Sequence, residues 1–234
     1  MNVLITGASR GIGAAAYALL RKSGHNVVGH STRGSDQLIA GDLTDASAPR
    51  DIWDTALDEL DGTIDVLVNN AGIYEGVPDN ASDDEWHAAW HRTMTINLQA
   101  AADLSRLAVS HFLDRGGEGR IVNVASRAAF RGDSPQHWDY AASKGAIVSM
   151  TKTIARGYAG EGILCFAVAP GFTVSEMTAE YLQGRGGAQI VADIPLGRVA
   201  STDEVAEVIR WLSIDAPASA TGSIIDVNGA SYVR

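Results

Sequence analysis

The sequence predicts a doubly wound α/β fold, a seven-stranded parallel sheet with helices on both faces. Three observations carry that expectation. Short apolar, β-branched runs alternate along the chain with stretches of helical spacing. Those runs are apolar throughout rather than alternating with polar residues, as suits a sheet covered on both faces. A glycine-rich turn joins the first strand to the first helix, where a doubly wound sheet receives phosphates.

Each element follows from local chemistry. Val3-Leu4-Ile5 is the first strand, and Thr6-Gly7 ends it. Residues 12–20 carry apolar side chains at helical spacing, closed by Gly24 as a C-terminal cap. Residues 26–29 form the second strand, and 38–40 a third, reached over a link too short for a helix. Residues 52–60 read as helix, and 65–68 as the fourth strand, which ends in Asn69-Asn70-Ala71-Gly72. Helical stretches follow over 83–90 and 93–113. The fifth strand spans 120–124, a long helix 139–158, and the sixth strand 164–168. A helix over 202–212 and a strand over 223–227 come last. Alternation of this kind builds βαβ units with right-handed crossovers. No repeat, low-complexity tract or Pro/Gly linker divides residues 1–234, so one domain is expected.

Composition narrows the function. The 234 residues are 46% hydrophobic, enough to exclude disorder. Eighteen Lys+Arg against 28 Asp+Glu give a net charge of -10, which argues against nucleic-acid binding. No apolar run approaches the roughly 20 residues of a membrane-spanning helix. Cys165 is the single cysteine, which rules out a disulfide scaffold and fits a reducing, cytoplasmic setting. A strand at the very start leaves no room for a signal segment. His91, His111 and His137 lack metal-ligand spacing, so no metal is expected.

Thr6-Gly7-Ala8-Ser9-Arg10-Gly11-Ile12-Gly13 occupies the first strand-to-helix turn. Small residues let the backbone turn tightly, approach a pyrophosphate and aim free N–H groups at it. The end of the second strand then reads the adenosine ribose. An acid there binds the 2′-OH, whereas basic and hydroxyl groups accommodate a 2′-phosphate. This strand ends His30-Ser31-Thr32-Arg33, without a carboxylate until Asp36, and Arg10 supplies a second cation. Arginine matches a phosphate with two parallel hydrogen bonds. NADP(H) is therefore favoured, with NAD(H) as the alternative.

Tyr140 and Lys144 stand four residues apart in the long helix, so phenol and ammonium share a face. A free tyrosine titrates near about 10, and a neighbouring cation is expected to lower that value.

The motifs in register resemble the short-chain dehydrogenase/reductase family, in its compact single-domain branch. They are Thr6-Gly7-x-x-x-Gly11-x-Gly13, Asp42-Leu43, Asn69-Asn70-Ala71-Gly72, Asn97, Ser126, Tyr140-x-x-x-Lys144 and Pro170-Gly171. The resemblance extends to Asp226-Val227-Asn228-Gly229 and is greatest toward 3-oxoacyl-acyl-carrier-protein reductases. It implies a Rossmann-type fold and an enzyme interconverting carbonyl and alcohol. On the same ground Tyr140 is the general acid, and Lys144 lowers its pKa and binds the nicotinamide ribose. Ser126 donates to the substrate oxygen, and Asn97 holds a water that resupplies the proton. Gly7, Ser9, Arg10, Gly11, Ile12 and Gly13 cradle the phosphates; Ser31, Thr32 and Arg33 face the ribose end. Asp42 and Leu43 flank the adenine, Asn70, Ala71 and Gly72 pass the adenosine ribose, and Pro170, Gly171 and Thr173 line the nicotinamide. A homotetramer is implied, with residues 93–113 and 139–158 at its interfaces.

Three departures from the family pattern stand out. Ser126 and Tyr140 lie one position further apart than is common, the link between the second and third strands is short, and position 125 is Ala rather than Ser. Residues 127–139 and 175–194 are expected to surround the substrate, with Gly184-Arg185-Gly186-Gly187 as a lid. Arg127, Phe130, Trp138, Met177 and Tyr181 are pocket candidates, with Tyr74 and Phe172 as further aromatics; Arg127 and Arg131 are candidates to attract an anion. An acyl-carrier-protein thioester is one candidate partner, docked on a basic patch of Arg115, Arg120, Arg127 and Arg131; a free small molecule is the other. Alternatives are a non-catalytic NADP(H)-binding regulator, an NAD-dependent alcohol or sugar dehydrogenase, and an extended-branch epimerase or dehydratase, which needs a larger C-terminal lobe.

Overall fold

The structure, a computed structural model, describes residues 1–173 and 187–234. Seven strands form one sheet: β1 (Asn2–Ile5), β2 (Asn26–Ser31), β3 (Leu38–Ala40), β4 (Val66–Asn69), β5 (Gly119–Val124), β6 (Ile163–Pro170) and β7 (Ile224–Val227). Their spatial order is β3-β2-β1-β4-β5-β6-β7, and every pairing is parallel. This is the Rossmann-type sheet that the apolar strands and their alternation with helices predict.

Helices α1 (Gly11–Lys22), α2 (Ala48–Glu59), α3 (Asp83–Met94), α4 (Ala100–Asp114), α5 (Ala128–Arg131), α6 (Trp138–Tyr158), α7 (Gly187–Ala192) and α8 (Thr202–Ile214) complete the fold. The period of two along β1 explains the layers. Leu4 points to one face, against Ile52 and Trp53 of α2 and Leu104 and Phe112 of α4. Val3 and Ile5 point to the other, against Ala16 and Leu20 of α1 and Val205 and Ile209 of α8. Strands sealed on both sides have no use for polar alternation.

Residues 32–37 carry no helix, as the short link requires. Two features differ from the sequence reading. The stretches 83–90 and 93–113 are one winding run, in which the π-helical segment Thr95–Gln99 joins α3 to α4. Helices α5 and α7, of 4 and 6 residues, are too short to show a period in sequence.

Chain order reverses beside β1, where the strand paired on one side is β2 and on the other β4. Ligands bind outside the carboxyl ends of the strands at such a switch point, and a cleft of about 370 Å³ opens there. Among the described residues no helix is long and apolar enough to cross a membrane.

Candidate active site

The glycine turn forms one wall of the cleft, which Gly7, Ser9, Arg10, Gly11, Ile12 and Gly13 all line. Gly7 has φ +68°, a left-handed conformation that favours glycine. At Gly13 a Cβ would stand 2.1 Å from the Gly7 carbonyl oxygen and 2.4 Å from Asn70 Nδ2. The Asn70 amide explains that crowding: it donates to the carbonyls of Thr6 at 2.9 Å and Gly7 at 3.0 Å. In return, Thr6 Oγ1 accepts from the backbone N–H groups of Asn70 and Ala71 at 3.1 and 3.0 Å. Two motifs 64 residues apart are thus one knot, which fixes the turn.

The N-terminus of α1 opens on the same wall, and no side chain caps it. Helices α3 and α8 both begin with complete capping boxes, Ser82 with Glu85 and Ser201 with Glu204. At α1 the first residues, Gly11, Ile12 and Gly13, instead line the cleft, where a helix end can receive phosphate.

At the ribose end, Ser31 and Thr32 line the cleft, and so do Asp42 and Leu43. Arg33 does not, so of the two predicted cations only Arg10 reaches the wall. His30, which the sequence reading passed over, is buried there, and its Nε2 lies 2.8 Å from the Gly41 carbonyl oxygen. Burial pushes its pKa down, which keeps the imidazole neutral. The Asp42 carboxylate accepts from the Thr44 N–H and hydroxyl at 3.0 and 2.8 Å, and those bonds hold its pKa low.

The opposite wall carries Ser126, Tyr140 and Lys144. Ser126 sits just past β5; Tyr140 and Lys144 lie one turn apart near the start of α6. Ser126 and Tyr140 are close enough for the serine to bear on the phenol's titration. Lys144 Nζ donates to the Val124 carbonyl at 2.9 Å and stands 5.8 Å from the Tyr140 ring centroid. Contrary to the sequence expectation, the phenol is not made acidic. Burial pushes it up to about 12, while the Ser126 side chain pulls the other way. Burial also brings the Lys144 ammonium down to about 8. The cation expected to stabilise the phenolate is itself desolvated and donates to a backbone carbonyl.

Asn97 lies behind these groups rather than on the cleft wall, in the π-helical segment. Its Oδ1 accepts from the Ile73 N–H at 2.8 Å, and its Nδ2 donates to the Ile73 carbonyl at 3.0 Å. A Cβ on Gly72 would lie 3.3 Å from Asn97 Oδ1 and 3.4 Å from Lys144 Nζ, so the three positions converge. Ala71 and Gly72 line the cleft with Asn70, and Pro170, Gly171 and Thr173 close its far side.

Pocket candidates divide. Arg127 lines the cleft, and so do Tyr74, Phe172 and Asp133. Tyr74 stands edge-on to Tyr140, with centroids 4.8 Å apart, and stacks on His137 at 3.9 Å. Phe130 and Trp138 do not reach the cleft. The Phe130 ring stacks on Tyr232 and receives the Arg234 guanidinium, while Trp138 is 54% exposed against Trp86. Met177, Tyr181 and the expected lid at residues 184–186 lie outside the described residues.

The basic patch drawn from the sequence does not assemble. Arg120 is near the first residue of β5 and Arg127 beyond its last, so they stand at opposite ends of the sheet. Arg115 binds Asp65 at 3.0 Å and the Ile64 carbonyl at 2.8 Å, just before β4, at the end away from the cleft. Arg120 donates to the carbonyls of Leu212 and Ala216. Among the described residues no cluster of His, Cys, Asp and Glu could hold a metal ion.

Three comparisons bear on identity. The profile of the family described as short chain dehydrogenase matches residues 1–186. The chain is 34% identical to a 3-oxoacyl-[acyl-carrier-protein] reductase of Vibrio cholerae, over 98% of this chain and 96% of that protein. It is 33% identical to the reductase of the same name from Thermotoga maritima, over 98% and 97%. A cis-4-hydroxycyclohexanecarboxylate dehydrogenase of Sinomonas cyclohexanicum is 35% identical, over 97% and 94%. The helix end that opens on the cleft, and the glycine turn that Asn70 pins beside it, suit the nicotinamide dinucleotide such enzymes use. The chain belongs to the short-chain dehydrogenase family and is an NAD(P)-dependent oxidoreductase acting on CH–OH groups.

Proposed function

We propose that the chain is an NADP(H)-dependent reductase of a ketone or aldehyde, with Ser126, Tyr140, Lys144 and Asn97 as its machinery. The observation that carries this reading is that Ser126, Tyr140, Lys144 and the glycine turn all line one cleft. When bound, the dihydronicotinamide supplies the hydride. Tyr140, pushed up to about 12, stays protonated at neutral pH, which is the form that carbonyl reduction needs. Its proton passes to the oxygen as negative charge develops, while the Ser126 hydroxyl donates to the same oxygen. Lys144 holds its charge below pH about 8 and supports the phenolate left behind. Asn97 acts as a positioning residue: it clamps the Ile73 backbone and keeps Gly72 against Lys144.

The NADP(H) preference rests on Arg10, Ser31 and Thr32 at the ribose end and on the absence of a carboxylate at the end of β2. Arg33, outside the cleft, no longer contributes to it. Several relatives are reductases of acyl-carrier-protein thioesters by name, whereas another is a dehydrogenase of a hydroxy acid. With Arg115 and Arg120 at the far end of the sheet, the four-arginine patch does not form among the described residues, and a free small molecule is the better reading. On family grounds the enzyme is a cytoplasmic homotetramer with α4 and α6 at its interfaces, which light scattering would check.

The test is a carbonyl panel assayed with NADPH and NADH in parallel. Turnover should favour NADPH, and Tyr140→Phe should lower kcat by about 100- to 10,000-fold while cofactor binding persists. A clear NADH preference overturns the cofactor assignment; undiminished turnover by Tyr140→Phe overturns the mechanism.

A further inference from the structure

Arg127 directly follows Ser126 and lines the same cleft as Tyr140. Its guanidinium carbon lies 4.8 Å over the Phe172 ring centroid, and its Nη1 donates to Ser231 Oγ. Ser231 is itself fixed, since its N–H donates to the Asn228 carbonyl at 3.1 Å. The side chain is therefore held from two sides in advance of any ligand. Among the described residues Ser231 is its one hydrogen-bond acceptor, and it forms no ion pair.

The charges around it leave an unmet demand. Burial and the neighbouring Arg131 disfavour the cation, while Asp133, Asp193 and Tyr74 favour it. The nearest cleft carboxylate, Asp133, is engaged elsewhere: it accepts from the Tyr74 hydroxyl at 3.0 Å and the Ser134 N–H at 2.7 Å. A half-buried guanidinium with spare donors and no paired anion is costly, and a carboxylate matches its fork with two parallel hydrogen bonds.

Resting on the reductase reading above, we propose that Arg127 anchors a carboxylate of the substrate, so that the chain interconverts a free oxo acid and its hydroxy acid. Because Arg127 lines the same cleft as Ser126 and Tyr140, carbonyl and carboxylate belong to one small molecule. In reduction the carbonyl carbon accepts a hydride from the dihydronicotinamide, which is oxidised. The carbonyl oxygen takes the Tyr140 proton, and the carboxylate is unchanged. This class differs from a carrier thioester, in which that charge is absent.

The experiment pairs oxo acids with their methyl esters. Acetoacetate, 4-oxopentanoate and 4-oxocyclohexanecarboxylate are each assayed against the ester with NADPH. At least one acid should exceed its ester about 10- to 100-fold in kcat/KM, the range expected for a charge-assisted pair. Arg127→Met should bring that ratio close to one by raising the KM of the acid, and Arg127→Lys should restore part of it. Equal use of acids and esters overturns the proposal, as does an Arg127→Met variant that weakens both alike and keeps the ratio, the signature of a merely structural arginine. If no carbonyl in the panel is reduced, the reductase reading itself fails; if esters are reduced and acids are not preferred, only the carboxylate anchor fails.

Discussion

Replacing Lys144 by methionine should alter the pH dependence of stability in a way the structure specifies. The lysine is 4% exposed, and burial lowers its ammonium from 10.5 to about 8. At pH 7 the group is charged in both folded and unfolded chains, so folding bears the whole desolvation cost. As pH rises through about 8, the folded chain releases the proton; the unfolded chain keeps it until about 10.5. Across that window the unfolded state binds more protons, and stability increases with pH. At about 1.4 kcal/mol per tenfold change in proton affinity, the gain reaches about 2 to 3 kcal/mol by about pH 10. Tyr140 and Cys165, both pushed up to about 12 by burial, act in the opposite sense at high pH. Both variants contain them, so they drop out of the difference. Lys144→Met keeps the stem and removes the titration. Urea unfolding of the two proteins at pH 7 and pH 10 measures the effect: wild type should gain about 2 to 3 kcal/mol on the variant. A difference constant to within about 0.5 kcal/mol would refute the claim that this ammonium is desolvated on folding.

Three further outcomes follow from the packing. Gly13→Ala places a Cβ 2.1 Å from the Gly7 carbonyl oxygen; it should cost about 1 to 3 kcal/mol in urea unfolding and weaken NADPH binding in a fluorescence titration. Phe112→Ala empties a fully buried site on the α2/α4 face and should cost about 3 to 5 kcal/mol, read from the urea midpoint at constant slope. Cys165, buried and pushed up to about 12, should resist a disulfide reagent at pH 8 in the native protein and react at once in urea; rapid native reaction would contradict its burial.

Most of the architecture was legible because it depends on local signals that do not conflict. Val3-Leu4-Ile5 and residues 164–168 are apolar on both faces, and Gly7, Gly11 and Gly13 mark the turn that only small residues fit. Tyr140 and Lys144 were legible as a pair through helical spacing, but their electrostatics were not. Spacing gives proximity, whereas protonation depends on how completely tertiary packing strips water from both groups. The four-arginine patch failed for a related reason. Arg115 precedes β5 and Arg120 is its second residue, whereas Arg127 and Arg131 follow it, so a strand's length separates residues that are close in sequence. Nor does sequence say that Phe130 turns to Tyr232, since that contact spans a hundred residues and depends on where the last segment of chain folds back. His30 carried no signal beyond its place in β2; register alone brings it beside Gly41.

The π-helical segment has a consequence for how the molecule can vary. Such a segment is an α-helix that has taken in one additional residue. Excising one residue from 95–99 would restore regular winding, but it would rotate everything on one side of the join by about 100° against the other. Thr93 is locked upstream, and Leu104 and Phe112 downstream. Asn97 could then keep its hold on Ile73 only if one of those anchors were given up. The surplus residue works as a phase adjuster: it lets the interior and the cleft each keep the helical bearing that suits it, so that side chains can be exchanged in one without retuning the other.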